Sequence, residues 1–231
     1  MHDPAAHRDD TVFDFGVTAL GASFHGDWCL DAENEIDHVF TYLGQQGDPS
    51  GLLLLIQDLL RLRDSDLSDD ELTLLWHATD PPLGGAPELQ GTARAWFDRL
   101  LAVVVPLAQS RGAAAASCST YPACVPAGTS PAAVEHRRMT AEVVELVDML
   151  DERQSWSHRP LTPTRQALVR CAETVCSELA FRFLLGSADL FCSRLTTVIY
   201  ERLGRLSAAF GHGPYVVDAV RHLVEESPPR P

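Results

Sequence analysis

Chemistry in this chain would have to come from few side chains, and Gly21-Ala22-Ser23-Phe24-His25-Gly26-Asp27-Trp28 holds the most suggestive of them. His25 and Asp27 bring an imidazole and a carboxylate close together in sequence, as proton transfer or metal binding would require. The segment also has a structural reading, in which Phe24 and Trp28 enter the core while His25 and Asp27 tie down a turn. Two polar residues are too few to define a catalytic centre. Anchoring of the N-terminal segment is therefore the expected role of Phe24, His25, Asp27 and Trp28. Asp64, Asp66, Asp69, Asp70 and Glu71 form an acidic cluster around Ser68. Ser68 and Glu71 alone suffice for a capping box, so the aspartates exceed the structural need. They read either as a solvated turn, with first-turn carboxylates worth about 0.3–1 kcal/mol each, or as a mimic of phosphate charge for the basic cleft of a nuclease. Asp31, Glu33, Glu35 and Asp37 make a second acidic face.

Other chemistries lack their spacing. The nine histidines are scattered, with no His-Glu-x-x-His pair and no Ser/His/Asp arrangement that the sequence supports. The six cysteines include no Cys-x-x-Cys pair and are expected to be reduced, structural thiols. Gly84-Gly85 and Gly211-His212-Gly213 lack a phosphate-binding pattern. No catalytic residue, metal or cofactor is expected.

Charge bounds the partners. The chain carries 18 basic against 32 acidic residues, a net charge of −14. This disfavours a general basic surface for nucleic acid or anionic lipid and points to a basic partner. The imbalance is local: residues 1–110 hold 19 acidic residues and 5 arginines, whereas residues 111–231 hold 13 of each. All the basic residues are arginine, a composition that points to a GC-rich bacterial genome. The longest apolar run, Leu52 to Ile56, stops at Gln57-Asp58, well short of the ~18–20 residues of a membrane span. The N-terminus has neither the basic nor the apolar region of a secretory signal, so a cytoplasmic location is expected.

Helical periodicity supplies the elements that must position these residues. Ile36, Val39, Phe40 and Leu43 stripe a helix over about 32–46, with Asp31 as its cap. Asp48-Pro49 opens a leucine-rich helix reaching about Arg63. A short helix follows the Ser68 capping box and ends at Pro81-Pro82, and a longer one runs from Glu88 until Pro106 ends or kinks it. Beyond an Ala/Pro/Ser-rich stretch at 111–131 come a helix striped by Val143, Val144, Val147 and Leu150, and another from Thr162-Pro163 to about Leu185. A further stripe runs from Leu190 to Leu203, and a short helix carries Tyr215 to Leu223. No segment alternates with the period of a strand. The predicted fold is all-α, with two helical bundle modules (13–110 and 132–226) joined by a linker at 111–131.

The Phe24-His25-Gly26-Asp27-Trp28 motif, its acidic follow-on, the Ile36/Val39/Phe40 helix and Ser68-Asp69-Asp70-Glu71-Leu72 resemble the helical CdiI-type immunity proteins of contact-dependent growth inhibition. The resemblance covers about residues 13–105. It departs at Cys29, where an acidic residue would be usual, and leaves the second half uncovered. It implies a protein that neutralises a cognate toxin domain by occlusion, without catalytic residues. The expected contact residues are Asp64, Asp66, Asp69, Asp70, Asp31, Glu33, Glu35 and Asp37, facing a basic toxin domain. The competing readings are a small α-helical enzyme or ligand-binding protein using His25 and Asp27, and a helical scaffold protein.

Overall fold

Helices form where apolar spacing and caps agree. The structure is a computed structural model describing residues 14–45, 49–80, 89–124, 129–152 and 159–225. Among the described residues the fold is all-α, and its β-character is an isolated parallel bridge between Leu195 and Val224. The first half contributes α1 (Gly16–Ala22), α2 (Trp28–Asp31), α3 (Glu35–Gln45), α4 (Pro49–Arg63), α5 (Asp69–His77) and α6 (Ala93–Ser110). The second contributes α7 (Pro131–Val147), α8 (Leu161–Thr174), α9 (Ser177–Leu190) and α10 (Thr197–Ala209). Short 3-10 helices occupy Ala115–Cys118 and Val217–Leu223.

Several boundaries fall where the sequence puts them. Helix α4 begins at Pro49, although its expected cap Asp48 lies outside the described residues. The Ser68 box is reciprocal: Glu71 N–H donates to Ser68 Oγ at 3.2 Å, and Ser68 N–H donates to Glu71 Oε2 at 2.7 Å. Other boundaries differ. Helix α3 starts late because Asn34, not Asp31, accepts the first-turn N–H groups of Ile36 and Asp37. Thr92 caps α6, which continues through Pro106 to Ser110; Glu88 and Pro81-Pro82 lie outside the described residues. The single helix expected to reach Leu185 is two, because Cys176 is extended and separates α8 from α9. The last element is a 3-10 helix rather than an α-helix.

The helices bury one contiguous apolar cluster drawn from both halves, including Leu59, Trp76 and Phe97 with Leu168, Phe181 and Leu184. Helix α4 packs on α6 and α8 on α9, while α5 against α8 and α1 against α9 join the halves. Gly186 marks a close approach to backbone: a Cβ there would sit 2.5 Å from the carbonyl oxygen of Ala78. Part of the expected linker is also packed. The 3-10 helix Ala115–Cys118 contacts α4 and α6 with Cys118 buried, and Arg61 Nη2 donates to the Pro122 carbonyl at 3.1 Å.

Candidate partner-binding face

The corner between α1 and α3 is built on Phe24, which is fully buried. Trp28 meets its ring edge-on at a centroid distance of 5.3 Å, and His38 lies against it at 4.6 Å. His38 Nε2 pairs with Ser23 Oγ at 3.0 Å, and burial lowers its pKa. Phe24 thus takes the core position expected of it, whereas Trp28 is only half-buried. His25 and Asp27 are both exposed. Their contact is a backbone one, Asp27 N–H reaching His25 Nδ1 at 3.4 Å. Beside them an open groove of about 430 Å³ is lined by Ser23, His25, Trp28, Asp31, His38 and Tyr42, among others.

Helix α3 turns differently from its apolar stripe. Val39 and Leu43 point inward, but His38 is buried beside them and Phe40 is rotated out, 57% exposed. The polar His38 is drawn in by Ser23 and the aromatic rings, which sequence periodicity alone gives no reason to expect. On α2, Leu30 is 78% exposed. Asp31 and Glu33 are exposed as well, while Asp37 is half-buried and accepts from Glu33 N–H at 3.0 Å. Glu35 is partly occupied by Arg99 at 4.0 Å. Exposed apolar side chains and exposed carboxylates are the two ingredients of a protein interface, in which a few anchors carry affinity and charge sets association rate.

The acidic cluster around Ser68 is partly neutralised within the fold. Arg63 pairs with Asp64 at 2.7 Å, Arg94 with Asp69 at 3.3 Å, and Arg170 with Glu71 at 3.4 Å. Arg94 also donates to the carbonyls of Arg63, Ser65 and Leu67, groups left unpaired where α4 ends. Asp66 and Asp70 remain exposed. The two acidic faces are therefore not equivalent: the 64–71 turn spends much of its charge internally, whereas the α2–α3 face joins exposed charge to exposed apolar surface.

Local sequence reading misses a buried ionic centre. Arg182 on α9 donates to Asp58 Oδ1 of α4 at 2.9 Å, Glu178 Oε1 at 2.9 Å and the Phe15 carbonyl at 2.9 Å. Its guanidinium carbon lies 4.4 Å from the Phe15 ring centroid. His212 Nε2 meets Glu178 Oε1 at 2.8 Å, and Val17 N–H donates to Asp58 Oδ2 at 3.1 Å. Burial raises the Asp58 pKa against the pull of Arg182, whereas Arg182 and His212 hold the Glu178 carboxyl well below its ordinary range. At the edge of the centre, burial pushes the Asp14 carboxyl up to about 6 although Thr18 and Arg182 oppose the shift. The available signal was an aspartate within a leucine-rich helix and an arginine within an apolar one. Gly16, at φ 65°, passes so close that a Cβ would lie 2.1 Å from Asp58 Oδ2.

Among the described residues no group of three or more His, Cys, Asp or Glu side chains is arranged to hold a metal ion. Likewise, no described helix is long and apolar enough to cross a membrane. Comparison with family models, curated proteins and solved structures returned no match.

Proposed function

We propose that this chain is a partner-binding protein of the immunity kind, which occludes a basic toxin domain through the α2–α3 face. The observation that carries this reading is the exposure, within the short stretch of α2 and α3, of both large apolar side chains, Leu30 and Phe40, and carboxylates, Asp31 and Glu33. Leu30 and Phe40 supply anchors for an apolar patch on the partner, and the carboxylates steer its basic surface during encounter. Asp66 and Asp70 add to the attractive field from the α4–α5 turn; Asp64 and Asp69, already paired with arginines, contribute less. The groove beside Trp28 and Tyr42 suits an arginine side chain of the partner, with aromatic faces for the guanidinium and Asp31 for its charge. Because His25 and Asp27 meet only by a long backbone contact, the interface reading is better supported than an acid–base pair.

The test takes as its probe a toxin domain encoded beside this gene, where the immunity reading places one, with association and dissociation followed at two ionic strengths. Asp31→Asn with Glu33→Gln should slow association and flatten its salt dependence, because screening acts on the removed long-range attraction. Phe40→Ala should chiefly speed dissociation while leaving thermal stability nearly unchanged. Unchanged kinetics for both variants, or no binding by the parent chain, would refute the proposal. A loss confined to Asp66→Asn with Asp70→Asn would move the contact to the α4–α5 turn.

A further inference from the structure

The two halves hold between them a cavity of about 130 Å³, walled by α1, the end of α5, α9 and the segment around the 3-10 helix Val217–Leu223. The space exists because Ala22, Gly186 and Ala219 in its wall carry a methyl group or less. Leu185, Val216 and Val220 make much of the surface apolar. Carboxylates interrupt it: Asp14 ahead of α1, Asp80 after α5 and Asp189 on α9. Arg182 also reaches the wall, but its donors are already occupied by Asp58, Glu178, Thr18 Oγ1 and the Phe15 carbonyl. Asp80 pairs with buried His77 at 3.0 Å, and Asp189 with largely exposed His222 at 2.9 Å. Asp14 is less complete. Its Oδ1 accepts from Phe15 N–H at 2.8 Å and from the Thr18 hydroxyl at 2.6 Å, whereas its Oδ2 accepts no hydrogen bond among the described residues.

We propose that this cavity is a binding site for a short primary alkylammonium ion, which donates to Asp14 and lays its chain against Leu185, Val216 and Val220. Size sets the length: an apolar cavity of about 150 Å³ takes benzene, so a body of about five heavy atoms suits this one. Charge sets the class. Carboxylates outnumber the single guanidinium in the wall, and that guanidinium is neutralised from behind by Asp58 and Glu178, so an anion is disfavoured. The apolar surface asks for a carbon body, which a bare metal ion lacks. An ammonium has donors only, and it meets acceptors in Asp14 Oδ2 and in Thr79 Oγ1, whose own proton goes to the Trp76 carbonyl at 2.7 Å. Burial raises the carboxyls of Asp14 and Asp189, and a bound cation would oppose that shift at both. Because the ligand would touch α1 and α9 together, its binding would stabilise the joined halves by mass action. The site is separate from the α2–α3 face and stands whether or not that face binds a toxin.

The experiment titrates the full chain with n-butylammonium chloride. Comparison compounds are n-butanol, which has the shape without the charge, and tetramethylammonium chloride, a cation without N–H groups; sodium chloride holds the ionic strength. A chain of net charge −14 gathers any cation at its surface, so the site is read by valine methyl resonances. Butylammonium should move those of Val216 and Val220 saturably, while those of exposed Val134 and Val198 follow the sodium chloride control. Asp14→Asn keeps the shape and removes the charge, and should weaken binding about tenfold or more. Ala219→Leu, which fills the cavity, should abolish it. Unmoved Val216 and Val220, an equal response to n-butanol or tetramethylammonium, or an affinity that Asp14→Asn leaves unchanged would each overturn the proposal. Movement of Val134 and Val198 in step with Val216 and Val220 would also overturn it, as accumulation on the surface. The parent chain and Asp14→Asn give this answer even if Ala219→Leu fails to fold.

Discussion

Arg182→Met should be among the most damaging single changes to the fold. The arginine side chain is 2% exposed and Asp58 is 3% exposed, so water cannot take over the bonds that are lost. Methionine strands the Asp58 carboxylate, with Arg61 at 3.7 Å as its nearest remaining cation, and removes the donor to the Phe15 carbonyl. Breaking one side of a buried ion pair costs about 3–5 kcal/mol, because the surviving charge stays desolvated. Asp58→Asn is milder, since the amide oxygen can still accept a hydrogen bond and Glu178 still balances Arg182. Its expected cost is about 1–3 kcal/mol. The double variant carries neither the arginine nor the stranded Asp58 charge, so its loss should fall short of the sum by about 1–3 kcal/mol. Urea unfolding at pH 7, with the slope held constant across the series, measures all three. A loss under about 1 kcal/mol for Arg182→Met, or strict additivity in the double variant, would refute the claim that this pair is an energetically coupled joint between the halves.

Asp14→Asn should stabilise the protein at pH 7, by at most about 3 kcal/mol for a carboxyl raised from 3.8 to about 6. A raised carboxyl binds its proton more tightly when folded, so its contribution is present at low pH and lost as pH rises from about 4 through 6; the variant's stability advantage should grow across that window in thermal melts. Gly186→Ala sets a helix-propensity gain of about 1 kcal/mol against overpacking on the Ala78 carbonyl worth about 1–3 kcal/mol, and calorimetry should show a net loss. Gly204→Ala on α10, whose Cβ would meet nothing within 4 Å, should instead raise the midpoint. Phe24→Ala should cost about 3–5 kcal/mol, with half-buried Trp28→Ala costing distinctly less; the reverse order in denaturant titrations would mean that Trp28 is the true anchor of the α1–α3 corner.

Local chemistry was legible wherever a single residue type settles a backbone conformation. Pro49 opens α4 and the Ser68/Glu71 box opens α5, because both signals act within one helical turn. The break between α8 and α9 carries no glycine or proline. The apolar spacing through Leu168, Cys171, Ala172 and Leu179 runs across it, so periodicity reads one long helix. Phe40 was placed in the core because it fits the stripe of Ile36, Val39 and Leu43; the partner that turns the helix is Ser23, on a different element. The ionic centre is further out of reach, since Arg182 and Asp58 are 124 residues apart and only the tertiary fold joins them. The charge asymmetry between halves was legible as a count. Its distribution was not, because Arg170 of the second half answers Glu71 of the first.

The grip of Arg94 on the α4–α5 turn bears on the entropy of association. Its guanidinium binds three alternate carbonyls of that turn, those of Arg63, Ser65 and Leu67, and its backbone N–H reaches Asp69 at 3.3 Å. The stretch that presents Asp66 and Asp70 is therefore already rigid before any encounter. A macromolecule meeting those carboxylates immobilises side-chain rotors, about 0.5–1.5 kcal/mol for each one that is rotamer-rich, and has no loop to order. Hydrogen exchange is the visible counterpart: the Asp64 amide, bonded to the Leu60 carbonyl at 3.0 Å, should exchange slowly in the free protein and change little when a partner binds. Replacing Arg94 with alanine would release the turn, so that the carboxylates keep their charge and lose their fixed positions.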